Sequence, residues 1–151
     1  MKDYTQMLTK NDKAKYEKGI LKSKKKYKKK EYYIRERVKS YRWKKSKHIN
    51  RAKKLYKISS IKASKELSRK TGCKINTLKR IIKKGEGAYY SSGSRPNQTP
   101  RSWGLARLAS AISGGNSSIV DYILLEEGCN HNKKAYKLAK KRKYEMKLDQ
   151  E

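Results

Sequence analysis

The chain has 151 residues and a formal net charge of +30, from 43 Lys and Arg against 13 Asp and Glu. Hydrophobic residues are 34% of it, below the roughly 45–50% of an average globular domain, so one well-filled core does not span the whole chain. Its longest purely aliphatic run, Ile123-Leu124-Leu125, is far too short for a membrane helix. The first residues carry no apolar signal stretch, and two cysteines are too few for a disulfide scaffold.

The charge is unevenly spread. Residues 1–84 hold 32 basic and 6 acidic residues, residues 85–130 hold 3 and 4, and residues 131–151 hold 8 and 3. This pattern predicts a basic arm over 1–57, a folded domain over 58–130 and a basic C-terminal helix over 131–151. Self-repulsion of this size calls for a polyanion, nucleic acid first.

From residue 12 to 47 there is no Pro and one Gly, and the composition predicts helix. Ile34, Val38 and Tyr41 recur at i, i+4 and i+7, a narrow apolar stripe. The run Lys24-Lys25-Lys26-Tyr27-Lys28-Lys29-Lys30 places like charges at i, i+4, which opposes a helix in water. A segment partly disordered when free and ordered on phosphate is the expectation. Further on, Ser59 or Ser60 caps a helix reaching about Lys70, and Gly72 ends it. Asn76 caps a second helix from Thr77 to Lys84, closed by Gly85. A polar loop, Tyr89 to Thr99, leads to a third helix with Thr99 as cap and Pro100 in its first turn. That helix carries Trp103, Leu108 and Ile112 and ends at Gly114-Gly115. A short fourth helix bears Ile119, Tyr122, Ile123 and Leu125 and stops at Gly128. A last one runs over about 132–148. No segment alternates as a strand does, so the fold class is all-α or mainly α: a small helix-turn-helix-like domain with long basic helical arms.

Three stretches carry chemistry. In the arm, Lys24, Lys25, Lys26, Lys28, Lys29, Lys30, Arg35, Arg37, Arg42, Lys44 and Lys45 are interleaved with Tyr27, Tyr32, Tyr33, Tyr41 and Trp43. Cations of this density track phosphates, and aromatic faces stack on unpaired bases. The lysine run also fits a nuclear import signal, as any basic run does. The second stretch is Ala63 to Ile82, spaced as a helix-turn-helix. Gly72 makes the turn, Cys73 and Ile75 plug the corner, and Asn76, Thr77, Lys79, Arg80 and Lys83 face outward. Those side chains suit base edges and phosphates in a major groove, although a basic αα-hairpin is the plainer reading. In the third, a Gly/Ser-rich loop from Gly85 to Trp103 enters a helix, and Arg95 and Arg101 supply an anion site if that loop holds one. Packing of Tyr89, Tyr90 and Trp103 is the plainer alternative.

The run Thr71-Gly72, Gly85-Glu86-Gly87-Ala88-Tyr89, Ser94-Arg95-Pro96, Thr99-Pro100-Arg101-Ser102-Trp103, Ala106-Arg107-Leu108, Gly114-Gly115 and Asp121 resembles a family of small proteins of unknown function. That family is encoded by tailed phages and by large DNA viruses of algae and protists. The resemblance covers about 70–125. Leu108-Ala109-Ser110 stands where a Val-Asn-Ser or Val-Tyr-Ser run is expected. It implies a viral origin and brings no activity or site with it, and the basic arm lies outside it.

Catalysis and metal binding find little support. His48 and His131 are the only histidines, and with Cys73 and Cys129 they show neither CxxC nor HxxxH spacing. No enzyme activity and no cofactor are expected. The leading expectation is a viral structural or genome-associated protein, a minor capsid or internal virion component made in the host cytoplasm or nucleus. Its arm binds nucleic acid, DNA before RNA, or acidic capsid proteins, and no membrane. A helix-turn-helix regulator that reads DNA sequence is the alternative.

Overall fold

A computed structural model describes residues 5–41, 46–92 and 95–150. They form eight helices: α1 (Lys10–Lys28), α2 (Lys47–Tyr56), α3 (Lys65–Thr71), α4 (Ile75–Ser92), α5 (Pro100–Ile112), α6 (Ser117–Val120), α7 (Tyr122–Gly128) and α8 (Lys134–Gln150). Among the described residues the single extended pairing is an isolated antiparallel bridge between Cys73 and Cys129. The protein is all-α. Its described residues gather into two compact units, one from Met1–Lys44 and Glu86–Trp103, the other from Lys45–Gly85 and Gly104–Glu151. We call them the arm unit and the core unit.

The core unit holds the aliphatic interior. Leu67, Leu78, Ile81, Leu108, Ile112 and Leu125 are all fully buried in one cluster. Ser46 caps α2 through the Ile49 N–H, and left-handed Lys57 closes it. Inside, the Tyr56 hydroxyl donates to the Ile112 carbonyl at 2.5 Å, and burial raises its pKa. Ser64, not Ser59 or Ser60, caps α3, accepting from the Leu67 N–H at 3.1 Å. The cap falls there because 57–64 is a loop that buries Ile58 and Ile61.

Gly72 ends α3 as expected, at φ +79°, and any Cβ there would strike the Lys133 side chain. The two cysteines are not separate thiols: Cys73 is bonded to Cys129. Backbone bonds flank this clasp, Lys74 N–H to Gly128 C=O at 2.9 Å and Asn130 N–H to Gly72 C=O at 2.7 Å. Cys73 is buried at the turn, as a plug would be, but as half of a disulfide. The expected fourth helix is split at Asp121 into α6 and α7, and it turns Leu124 inward while Ile123 is exposed. α8 packs its Ala135, Tyr136 and Ala139 side and is exposed from Lys143 onward.

In the arm unit, α1 stops at Lys28 instead of continuing to residue 47. The Glu31 N–H returns to the Lys26 carbonyl at 2.9 Å and the Lys30 N–H to Tyr27 at 3.0 Å. Lys30 sits at φ 60°. This is a Schellman closure with lysine where glycine is usual. Residues 31–38 are non-helical, so Ile34, Val38 and Tyr41 form no helical stripe: Ile34 is 58% exposed, while Val38 and Tyr41 are buried.

Side-chain hydrogen bonds hold the segment in place. Asn97 imitates a strand partner, accepting from the Val38 N–H at 2.7 Å and donating to its carbonyl at 2.9 Å. The buried Tyr89 hydroxyl accepts from the Arg35 N–H at 3.0 Å. Asp12 takes both the N–H and the hydroxyl of Ser40, at 2.9 and 2.6 Å.

Neither Gly85 nor the expected loop from Tyr89 ends α4, which runs on to Ser92. The intrinsic cost of Gly85 and Gly87 in a helix is about 1 kcal/mol each. Burial of Tyr89 and the bond from the Ser23 hydroxyl to the Tyr90 carbonyl, 3.1 Å, oppose that cost.

Candidate nucleic-acid interface

The arm lysines are presented at the C-terminal end of α1 and on the turn that closes it. Lys24, Lys25, Lys28, Lys29 and Lys30 are exposed, and Lys26 is half-buried. A helix C-terminus attracts cations, which offsets the i, i+4 repulsion that argues against helix here. Ser23 and Tyr27 anchor the same turns against residues of α4. Among the described residues, Lys26 is the member of this set within ion-pair distance of a carboxylate, Glu31 at 3.9 Å.

Arg35 is engaged differently from the lysines. Its guanidinium lies over the Tyr89 ring, 4.4 Å from the centroid, so its first role is packing. Arg37 is exposed. Arg42, Trp43, Lys44, Lys45, Gly93 and Ser94 lie outside the described residues. A shallow groove of about 350 Å³ also opens in this unit, lined by Lys15, Lys18, Gly19, Lys22, Tyr33 and Glu36. Lys22 sits 4.5 Å above the Tyr33 ring, and Lys15 pairs with Glu36 at 3.1 Å.

In the core unit, the helix-turn-helix spacing is met by α3, the Gly72 turn and α4. Asn76, Lys79, Arg80 and Lys83 are exposed and share one face at i, i+3, i+4 and i+7. Thr77 does not join them. It is buried, and it packs so closely on Gly128 that a Cβ there would overlap its side chain. The next lysine, Lys84, reaches toward Asp121 at 3.8 Å.

Arg95 and Arg101 are both engaged within the chain. Arg95 Nε donates to the Tyr41 hydroxyl at 3.2 Å, and Arg101 lies 3.9 Å from Glu86. The N-terminus of α5 caps itself: the Ser102 N–H donates to Thr99 Oγ1 at 3.0 Å, and the Thr99 N–H to Ser102 Oγ at 2.9 Å. Thr99 is thus the cap that its sequence position predicts.

Two features are not visible in the sequence. One is the ion pair of Arg107 with buried Asp121, with Nε to Oδ2 at 2.8 Å and Nη2 to Oδ1 at 2.7 Å. Its hydrogen bonds raise the guanidinium pKa. The other is a tyrosine cluster of Tyr27, Tyr32, Tyr89 and Tyr90. The two pairs, Tyr27 with Tyr32 and Tyr89 with Tyr90, lie too far apart in sequence for any periodicity to join them. For the bridged cysteines, the even count is the one signal the sequence offers. Among the described residues no three His, Cys, Asp or Glu side chains gather as a metal site, and no helix is long and apolar enough to cross a membrane.

Fold and surface together define a small all-α protein with cations concentrated on two exposed helical surfaces. The chain belongs to a family of unknown function, DUF5824, whose model matches residues 2–121. That span takes in the basic arm, which lies outside the resemblance over 70–125. No curated protein and no solved structure matched the chain.

Proposed function

We propose that this protein is a non-enzymatic nucleic-acid-binding component of a virus, either a minor capsid protein or an internal, genome-associated one. The observation that carries the reading is the end of α1. Five lysines, Lys24, Lys25, Lys28, Lys29 and Lys30, stand exposed on a helix end and turn that are themselves packed. Concentrated cations on an ordered scaffold bind phosphate without reading bases. The viral setting rests on the resemblance of residues 70–125, and the capsid proteins of that virus are the second class of partner.

A second reading is favoured by one observation, the exposed row Asn76, Lys79, Arg80 and Lys83 that follows a helix-turn-helix turn. In that reading the protein is a regulator and α4 enters the major groove.

The two are separated by salt titrations of duplex DNA binding with the full chain. The isolated segment 58–130 is unsuitable, because it would strip residues 86–103 of their packing partners in the arm unit. Glutamine at the five lysines is compared with Asn76→Ala/Arg80→Ala, on random and on selected sequences. Loss confined to the lysine variant, equal on all sequences, supports the charge-neutralising role. A sequence-dependent affinity that persists at high salt and falls with Asn76→Ala/Arg80→Ala makes the protein a regulator. Absence of binding near physiological salt, with recovery of shell proteins, leaves acidic protein partners.

A further inference from the structure

We infer that the end of α1 is a platform for single-stranded nucleic acid, with Tyr32 as the ring on which a base stacks. This rests on the nucleic-acid reading above and specifies its partner. Tyr27, Tyr32 and Tyr90 form one cluster in the arm unit. Tyr27 and Tyr90 stack at 6.0 Å with their planes 10° apart. Tyr32 leans on both, 5.0 Å from Tyr90 and 6.3 Å from Tyr27, at 52° and 54°. Tyr90 in turn meets the buried Tyr89 edge-on at 5.2 Å.

Tyr32 is held by this cluster and still leaves 70% of its surface exposed. A ring recruited for stability is buried, whereas this one is oriented and largely exposed. Fixing a ring in advance lowers the ordering cost of binding. The flanking charge is of the matching kind: Lys28, Lys29 and Lys30 precede it in the chain, all exposed, with Glu31 drawn toward Lys26. Cations beside an exposed aromatic face are what a strand with unpaired bases requires, since its phosphates and its base faces are accessible together. Duplex DNA offers this surface its phosphates only.

The test is fluorescence anisotropy of the full chain at one salt concentration with three labelled probes. They are an oligothymidylate of about twenty nucleotides, an abasic strand of equal length, and a duplex. The expected result is binding of oligothymidylate about 5- to 150-fold tighter than of the abasic strand. Tyr32→Ala should remove that difference and leave abasic affinity unchanged, while Tyr32→Phe keeps it. Tyr32 is exposed, so the alanine variant is expected to fold, and circular dichroism checks this. Equal wild-type affinity for thymidylate and abasic strands overturns the platform while leaving the polyanion reading in place. So does a Tyr32→Ala loss that is the same on both strands. If none of the three probes binds, both readings fall.

Discussion

Arg107 and Asp121 show how unequal the two ends of one ion pair can be. The Asp121 carboxylate is 0% exposed and the Arg107 side chain 20%. Removing the cation strands a buried charge, with Lys84 at 3.8 Å as the remaining cation. Arg107→Met is therefore expected to cost about 3–5 kcal/mol. Asp121→Asn leaves a guanidinium that water partly reaches, and should cost about 1–3 kcal/mol. Urea unfolding of the two variants checks this asymmetry, and equal losses would refute it. Asp12 gives a pH signature. The hydroxyl and N–H of Ser40 hold its carboxyl below the ordinary value. A lowered folded pKa means the contribution is complete above the unfolded carboxylate pKa, about 3.9, and fades as pH falls through the lowered value. An NMR titration should show the Asp12 carboxyl and the Ser40 amide moving together at that lower midpoint. Ser40→Ala should return the midpoint toward the ordinary one.

Among the elements, the α3–α4 turn is the one most strongly constrained. The Ser68 hydroxyl donates to the Cys73 carbonyl at 2.5 Å, and the Thr71 hydroxyl donates to the Leu67 carbonyl while accepting from the Cys73 N–H. The disulfide closes a sequence separation of 56 residues over this turn. On loop length alone, Cys73→Ala/Cys129→Ala should lose about 4 kcal/mol. Urea unfolding with and without reductant measures it: reductant should bring wild type to the level of the variant and leave the variant unmoved. Part of this element was legible, because Gly72 and the apolar spacing of Leu67, Leu78 and Ile81 each have a local cause. The continuation of α4 past Gly85 was not. A glycine stops a helix only where no packing carries it onward, and here Tyr89 does so from outside the local window.

For the whole molecule, charge is the organising quantity. A net +30 opposes compaction, and the chain answers by confining its aliphatic core to one unit. The arm unit is held by hydrogen bonds and tyrosine rings. With about eight phosphates neutralised, log affinity for duplex DNA should fall against log salt with a slope near −7. Glutamine at Lys24, Lys25, Lys28, Lys29 and Lys30 should flatten that slope by about four to five. A slope unchanged by the five substitutions would move the binding surface away from α1. The net charge and its uneven spread were legible in the sequence, since charge needs no fold to be counted. The placement of the arm was not: the side chains that hold it, Asn97, Tyr89 and Asp12, are bonded across separations of up to 59 residues.

The sequence alone determined the all-helical class, the Gly72 turn, the Thr99 cap and the basic character, because caps, turns, periodicity and charge are local or additive. The tertiary structure alone decided where α1 ends, that Thr77 faces inward while Asn76, Lys79, Arg80 and Lys83 face out, that Cys73 meets Cys129, and that Tyr32 stands supported and open. Each of these depends on which distant surface arrives against a residue, and local preferences do not carry that information.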